Sequence, residues 1–399
     1  MNSAKKIVAE EIKLQEYHGL TRLIKCYLFL CGAWPISHPG ILYRALSIYT
    51  IISNLLGSIT LFRFTFANVS SISQAVRGFS LGSSCISLAL KDIQLTYYMK
   101  ESYEILTTLH NYFKESLLDK NLRYCVLDRV TSVRRLTLIH FFIVTSGACM
   151  FAFVPIIRII LQTWHGVQPV KYTLPAPALY PWKIYPGGMV YKITYIYEMY
   201  NMLCLATITV GVDCLFAYYI FLITGQFRVL SHQMVNLQSS EDHDEFIRKW
   251  VDKFLVLRQC CRKLQKMYGP IILWQITTNA AVICAILFQI SQGKGIPVAA
   301  YIQILCYSGG KIVQTFIYSS SGTILTEESE LGTQSAYFCD WPDAVHHRFR
   351  TAILIILTQE PLKVSVANWI IVSNELFVMT LNAAVSYYFL LQTFEEKQS

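Results

Sequence analysis

Charge is what this chain has least of. Only 15% of its 399 residues are Asp, Glu, Lys or Arg, where a soluble domain carries roughly a quarter. That shortfall excludes an ordinary water-facing surface over most of the length. Enzyme signatures are missing as well: there is no phosphate-binding P-loop, no G-x-S-x-G elbow, no H-E-x-x-H pair and no dinucleotide fingerprint. No nucleophile, base or metal-ligand set clusters at a common membrane depth, so no catalytic residue, metal or cofactor is assigned. Residues 1–25 have no apolar core, because Lys5, Lys6, Glu10, Glu11, Lys13, Glu16, Arg22 and Lys25 interrupt them. A cleavable signal peptide is therefore not expected, and the N-terminus is expected to stay in the cytoplasm. The net charge of +9 comes without a basic stripe interleaved with aromatics, which argues against nucleic acid as a partner.

What fills the chain is hydrocarbon. Hydrophobic residues make up 54% and aromatics 14%, mean hydropathy is +0.40, and the apolar residues fall in runs of about 20, the length a helix needs to cross a bilayer. Seven such runs are read: Ile41 to Phe62, Ser71 to Tyr97, Leu136 to Leu161, Val190 to Thr224, Ile271 to Ile290, Ile296 to Ile317 and Val364 to Leu391. Backbone N–H and C=O groups in lipid have to pair within the segment, so the runs are helices. The expected fold is an all-α, polytopic membrane protein with seven transmembrane helices. Its organisation is a cytoplasmic segment (1–40), six helices with their loops (41–330), a cytoplasmic anchor segment (331–363) read as a helix from Leu331 to Leu357, and a last helix with an extracellular C-terminus (364–399).

Loop charge sets the orientation. Loops placed inside carry Lys100, Lys114, Lys120, Arg123, Arg129, Arg134 and Arg135, then Arg228, Arg248, Lys249, Lys253, Arg258, Arg262, Lys263 and Lys266; those placed outside carry only Arg63, Lys171, Lys183 and Lys294. The sole N-x-[ST] acceptor, Asn68-Val69-Ser70, falls in the first outside loop, as a glycosylation site requires. An odd number of spans from a cytoplasmic start leaves Ser399 outside, the reverse of a G-protein-coupled receptor. All twelve cysteines fall in spans or on the inner side, so no extracellular disulfide is expected. Cys260-Cys261 reads as small buried hydrophobes rather than a metal or palmitate site, and Glu241 to Glu245 and His346-His347 read as solvated polar segments rather than metal ligands. Gly187-Gly188 and Gly309-Gly310 mark either breaks or close packing.

Ionisable residues within spans must face protein or water. They are Arg44, Arg77, Lys91, Asp92, His140, Arg158, Glu198, Asp213 and Lys311. Lys91, Asp92 and Asp213 fall near inner ends, where snorkelling or mutual pairing suffices. Arg77, Arg158 and Glu198 fall in outer halves, positioned to pair around a cavity.

Several motifs, in this order and on this inverted topology, resemble the insect odorant receptors, specifically their odour-tuning subunits. Leu30-Cys31-Gly32-Ala33-Trp34-Pro35 is similar to the family's Gly-x-Trp-Pro opening, and Asp213-Cys214-Leu215-Phe216 to an acidic motif late in the fourth span. Ser335-Ala336-Tyr337-Phe338-Cys339-Asp340-Trp341 resembles its Trp-bearing helix start, Thr358-Gln359-Glu360-Pro361-Leu362 its connector, and Ala384-Val385-Ser386-Tyr387-Tyr388-Phe389-Leu390-Leu391 its final helix. Glu360 departs from the basic residue common there. The loop from Gly225 to Gly269 lacks the large insertion of the obligate odorant co-receptor, and gustatory receptors, the nearest alternative, commonly show Thr-Tyr where Ser386-Tyr387 stands.

The resemblance implies a heterotetrameric, ligand-gated, non-selective cation channel shared with the co-receptor, in the plasma membrane of olfactory sensory neuron dendrites. It places a small volatile organic ligand in the outer halves of the second, third, fourth and sixth spans, where counting inward selects Ser83, Ser84, Phe151, Val154, Tyr197, Asn201, Ile304 and Tyr307. It places the pore along the last helix with Asn382, Ser386 and a gate at Leu390. The segment Leu331 to Leu357 directly precedes that helix and carries Tyr337, Phe338, Trp341 and Phe349, aromatics costly to leave wet, so Tyr337 and Trp341 are expected either at a subunit interface or packed within the subunit. Periodicity alone leaves Asn382 and Ser386 open to ordinary helix packing. A small-molecule transporter is the alternative from another class, but no half-to-half repeat is visible.

Overall fold

The structure, a computed structural model, describes residues 2–237, 243–291, 298–339, 347–367 and 369–396. Its helices are α1 (Asn2–Leu30), α2 (Ile41–Ala67), α3 (Ile72–Tyr97), α4 (Met99–Leu118), α5 (Arg123–Leu127), α6 (Val130–Trp164), α7 (Met189–Val235), α8 (His243–Ser291), α9 (Val298–Gln334), α10 (His347–Leu357) and α11 (Asn374–Glu396). A 3-10 turn, Ser335–Phe338, follows α9, and a hairpin of β1 (Ser365–Val366) and β2 (Ile370–Ile371) precedes α11.

A helix that is apolar on every side has to be buried on every side. That describes α7, whose most apolar stretch is 94% buried and which packs against α1 through α6, α8 and α9. At 47 residues it is about 70 Å long by the helical rise, so it forms the axis of both the membrane bundle and the layer beneath it. The bundle consists of α2, α3, α6, α7, α8, α9 and α11, one helix for each expected span. By length and composition alone, α2, the α5–α6 stretch, α7, α8 and α11 are apolar enough to cross a membrane, and α3 and α9 are not. The reason lies in their buried faces: Ser80, Ser83, Ser84, Ser87, Lys91 and Asp92 on α3, and Lys311, Gln314, Thr315 and Ser319 on α9, are all buried against protein. Polar residues inside a bundle must find partners there.

At one end α1, α4, α5 and α10 gather around the extensions of α7, α8 and α9. Tyr218 of α7 ties this layer together. Its hydroxyl donates to the Tyr17 hydroxyl at 2.9 Å and shares hydrogen bonds with Thr21 at 3.1 Å and His110 Nε2 at 2.7 Å. Burial pushes His110 down to about 4, so the ring is neutral at pH 7. Glu328 accepts ion pairs from Arg129 at 3.0 Å and Arg228 at 3.4 Å, bridging α9 to the α5–α6 corner and α7.

Two expected elements differ. The last helix does not begin at Val364: Ser365–Val366 pairs antiparallel with Ile370–Ile371, and Val372 N–H meets the Val364 carbonyl at 2.9 Å. Val364, Val366, Ile370, Ile371 and Val372 are β-branched residues that suit a pleated strand better than a helix. Helix α11 starts only where Ser373 accepts from Leu376 and Phe377 N–H. Nor is Leu331 to Leu357 one helix. Helix α9 continues to Gln334, the chain tightens into the 3-10 turn and becomes extended at Cys339, and α10 starts at His347. Trp341, together with Ile296 at the start of the sixth expected span, lies outside the described residues. Gly309 and Gly310 do not break α9 but let it pack on Ile143 and Val144 of α6.

The hairpin is seated on Gly322 of α9, where an added Cβ would collide with the Val372 carbonyl. That neighbour is backbone and cannot rotate away. Gly322→Ala is expected to destabilise the purified protein by at least ~1–3 kcal/mol through forced overpacking. A thermal-unfolding midpoint equal to wild type would show that the hairpin is not held there.

Candidate ligand site and its polar floor

Helical spacing brings four helices to one cavity. Ser84, Leu88 and Lys91 of α3 stand at i, i+4 and i+7; Val144, Ala148 and Phe151 of α6 repeat that spacing, and so do Tyr307, Lys311 and Gln314 of α9. Each set is a single helix face. Leu205 and Thr209 of α7 close the ring, and Ile143, Gly147, Cys306, Gly310 and Ser87 complete the lining. The cavity measures about 40 Å³, small beside the ~300–1,000 Å³ of established ligand pockets. A ligand of odorant size needs the Phe151 and Tyr307 rings to move. Both are only half buried, and they meet edge-on with centroids 6.4 Å apart.

Three of the four hydroxyls that line the cavity, those of Ser84, Ser87 and Tyr307, are already engaged. Tyr307 donates to the Ser80 carbonyl at 2.8 Å and is 2.7 Å from Ser84 Oγ. Ser87 donates to the Ser83 carbonyl at 3.0 Å and accepts from Trp274 Nε1 at 2.8 Å. Below lies a polar floor centred on Asp213 of α7. Its carboxylate takes an ion pair from Lys91 at 2.6 Å, hydrogen bonds from Tyr318 OH and Gln314 Nε2 at 2.5 Å each, and lies 3.3 Å from His140 Nε2. Both members of the ion pair are essentially inaccessible, at 1% and 0% exposure. This is buried mutual pairing and not snorkelling. Asp92 pairs elsewhere, accepting from Thr50 of α2.

The network continues outward from the cavity. Gln314 accepts from Gln275 of α8, whose amide also donates to Asn279 at 3.1 Å. Asn279 in turn donates to Thr315 at 2.9 Å. One turn further along α8, Ile283 and Cys284 pack on Ala384 of α11, with Leu381, Tyr388 and Leu391 against them. One face of α8 thus connects the polar floor to the last helix.

The roof is the connection between α6 and α7, residues 165–188. Glu198 of α7 holds it: its carboxylate accepts the Ala176 N–H and the Tyr180 hydroxyl at 2.8 Å each. Ala176 then packs with Leu61, Leu81, Cys85, Ala152 and Met202, in contact with Phe151 and Tyr307. Glu198 therefore answers a loop, not the arginines expected beside it. Arg77 and Arg158 are exposed, and neither forms an ion pair among the described residues.

Of the ligand residues expected from sequence, Ser84, Phe151 and Tyr307 line the cavity. Ser83 is turned to the Ser80 carbonyl. Tyr197 and Asn201 face α2, where Tyr197 donates to the Ser53 carbonyl at 2.8 Å and Asn201 accepts from Ser53 at 2.7 Å. Val154 and Ile304, half buried, lie outside the lining. Lys91, Thr209, Lys311 and Gln314 were not selected; the i+4 and i+7 steps from Tyr307 and Ser84 carry the signal that finds three of them. On α11, Asn382, Ser386 and Leu390 are all exposed and lie opposite buried Ala384. Tyr337 and Phe338 are 65% and 69% exposed. Asn68 caps α2, its amide donating to the Phe64 carbonyl at 2.8 Å.

A family model described as 7tm Odorant receptor matches residues 71–385. Odorant receptor 13a of Drosophila melanogaster is 21% identical over 94% of this chain and 96% of its own length. The Anopheles gambiae Odorant receptor coreceptor is 28% identical, but over only 36% of this chain and 30% of its own. Among solved structures, the insect olfactory receptor OR5 from Machilis hrabei in complex with eugenol superposes with a TM-score of 0.75 at 15% identity, covering 96% of this chain and 99% of that one. The fold is thus shared along the whole length, whereas likeness to the co-receptor is confined to about a third of it. With seven bundled helices, a cavity among four of them and a family match over most of the chain, this protein belongs to the odorant receptor family, a family of receptors and not of enzymes.

Proposed function

We propose that this chain is the odorant-binding subunit of a heteromeric, ligand-gated, non-selective cation channel assembled with the odorant co-receptor. The observation that carries it is the continuous path from cavity to last helix: Tyr307 and Lys311 at the cavity, Gln314 to Gln275 and Asn279 on α8, then Ile283 and Cys284 on Ala384 of α11. A ligand that displaces the Tyr307 or Phe151 ring perturbs α9, and α9 is bonded to the helix that supports α11. The relatives' names support both halves of the reading, an odorant as ligand and a co-receptor as partner. In this reading the layer of α1, α4, α5 and α10 is cytoplasmic, the 165–188 roof and Asn68 are extracellular, and the plasma membrane of sensory dendrites is the site of action. Cells expressing the chain with the co-receptor should give odorant-evoked cation currents that the co-receptor alone does not give. Silence across a broad odorant panel at normal surface expression would sink the proposal.

The cavity predicts its own mutants. Affinity for a volatile ligand comes mainly from apolar contact, at about 25 cal/mol per Å² buried. Phe151→Ala or Tyr307→Ala should therefore shift odorant potency by roughly tenfold or more, and should reorder the odorant ranking. Unchanged dose–response curves would move the ligand elsewhere.

In the assembled channel, the exposed face of α11 lines the pore through Asn382 and Ser386. A ring of Leu390 side chains closes it by dewetting. Leu390→Ser should raise basal current or change cation permeability in the co-expressed channel. The same leak and permeability as wild type, with surface expression intact, would take Leu390 out of the gate.

Tyr337 and Phe338 are too large and apolar to stay wet at their observed exposure, and cover by the co-receptor explains them. Trp341, further along the same segment, is proposed for the same surface. Because the side chains are exposed within the subunit, Tyr337→Ser with Phe338→Ser should reduce co-purification of the co-receptor while leaving the isolated chain folded. Full recovery of the complex would refute this interface.

A further inference from the structure

Two lysines reach the cavity, and one carboxylate is there to answer them. Lys91 is taken by Asp213. Asp213 has no capacity to spare: Oδ1 receives Lys91 and Tyr318, and Oδ2 receives Gln314 and faces His140. Lys311 lines the cavity at 8% exposure. Among the described residues it makes no ion pair and no hydrogen bond through its ammonium, which sits 5.7 Å from the Tyr307 ring centroid. An ammonium is a donor with three N–H groups and no acceptor capacity, and in a membrane interior a partner is expected for it.

We propose that Lys311 is the specificity-determining residue of this cavity, and that it selects ligands bearing an acceptor oxygen at one end of a hydrocarbon body, a carboxylate best and a carbonyl next. The other walls support the second half of that description. Leu88, Val144, Ala148, Phe151 and Leu205 are apolar, Ser84, Ser87 and Tyr307 already have partners, and the Thr209 hydroxyl, which has none among the described residues, is neutral and carries no charge to select an acid. Lys311 follows Tyr307 by one helical turn, about 6 Å, on the side of the polar floor. The oxygen end therefore points to the floor and the hydrocarbon end lies under Phe151 and the 165–188 roof. Asp213 is already matched by Lys91, so a protonated Lys311 is left to the ligand, and an anion supplies its counter-charge where an amine cannot.

The inference rests on the cavity being the odorant site, so its test reads binding and conduction separately. Hexanoic acid, butyl methyl ketone, hexane and hexylamine present one chain length with four end groups. Each is applied to wild type, Lys311→Met, Lys311→Arg and Lys311→Glu, co-expressed with the co-receptor. Currents give conduction, and thermal stabilisation of the purified complex gives binding. Wild type should bind the acid best, then the ketone, with hexylamine weakest. Lys311→Met should weaken acid and ketone by about 10- to 100-fold, the effect of losing a charged hydrogen bond, and leave hexane as it was. Lys311→Glu should turn the preference towards hexylamine. If the Met and Glu variants fail to fold, the Arg variant, which keeps a cationic donor, should keep the wild-type order. Wild-type binding of hexylamine or hexane as tight as that of the acid overturns the proposal outright. Stabilisation in the expected order without any current upholds Lys311 and removes the channel reading. Currents whose order is the same in wild type and Lys311→Met uphold the channel and remove Lys311.

Discussion

A carboxylate at the centre of a membrane bundle has to be answered from every helix within reach, because neither lipid nor water will do it. Asp213 is such a group, fully buried on the most enclosed helix of the molecule. Lys91 comes from α3, His140 from α6, and Gln314 and Tyr318 from α9. These contacts set the rotation of three helices about α7. Breaking a buried pair by removing one partner typically costs about 3–5 kcal/mol, so the arrangement is strongly specified. The cavity lies directly above it, and its lining is a consequence of those rotations.

The same constraint explains why two of the seven spans are poor in hydrocarbon. Helices α3 and α9 supply most of the polar side chains around Asp213 and most of the polar cavity wall. Each is sheltered by neighbours, α3 by α2, α7 and α8, and α9 by α6, α7, α8 and α11. Helix α11 has the opposite character. Among the described residues one face is covered, by α8 and α9, with Thr380 and Ala384 buried, and most of the remainder is open. A helix so little covered by its own chain is suited to be completed by other subunits, whereas the most apolar stretch of α7 is already 94% buried.

The path from the cavity to the last helix is short in residues and mixed in chemistry. It begins with aromatic rings in a cavity too small for an odorant at rest, passes through side-chain amides, and ends in apolar packing on α11. A displaced ring cannot be absorbed locally, since the hydroxyl of Tyr307 is bonded to Ser80 and Ser84 of α3. Close-packed interiors pass such displacements on rather than dissipating them.

The spans, their number and the polar character of the Asp213 region were legible in the sequence, because in lipid the backbone pairs within each segment, so each run shows by its length even where, as in α3 and α9, buried polar residues lower its hydropathy. The motifs around Trp34, Asp213 and Ser386 carried the family, which the whole-length comparison bears out. What the sequence did not determine is which way each helix turns. A step of one residue rotates a side chain by about 100° around the axis, so Ser84 reaches the cavity and Ser83 its own helix backbone, Tyr307 reaches it and Ile304 does not. The same holds for partners distant along the chain. From sequence Glu198 was expected to share its depth with Arg77 and Arg158, yet it binds a loop some twenty residues earlier, as its 22-residue separation from Ala176 shows. Only the tertiary structure decided that Asp213 would be saturated by others and Lys311 left facing the cavity, because that outcome depends on the relative rotation and depth of four helices at once.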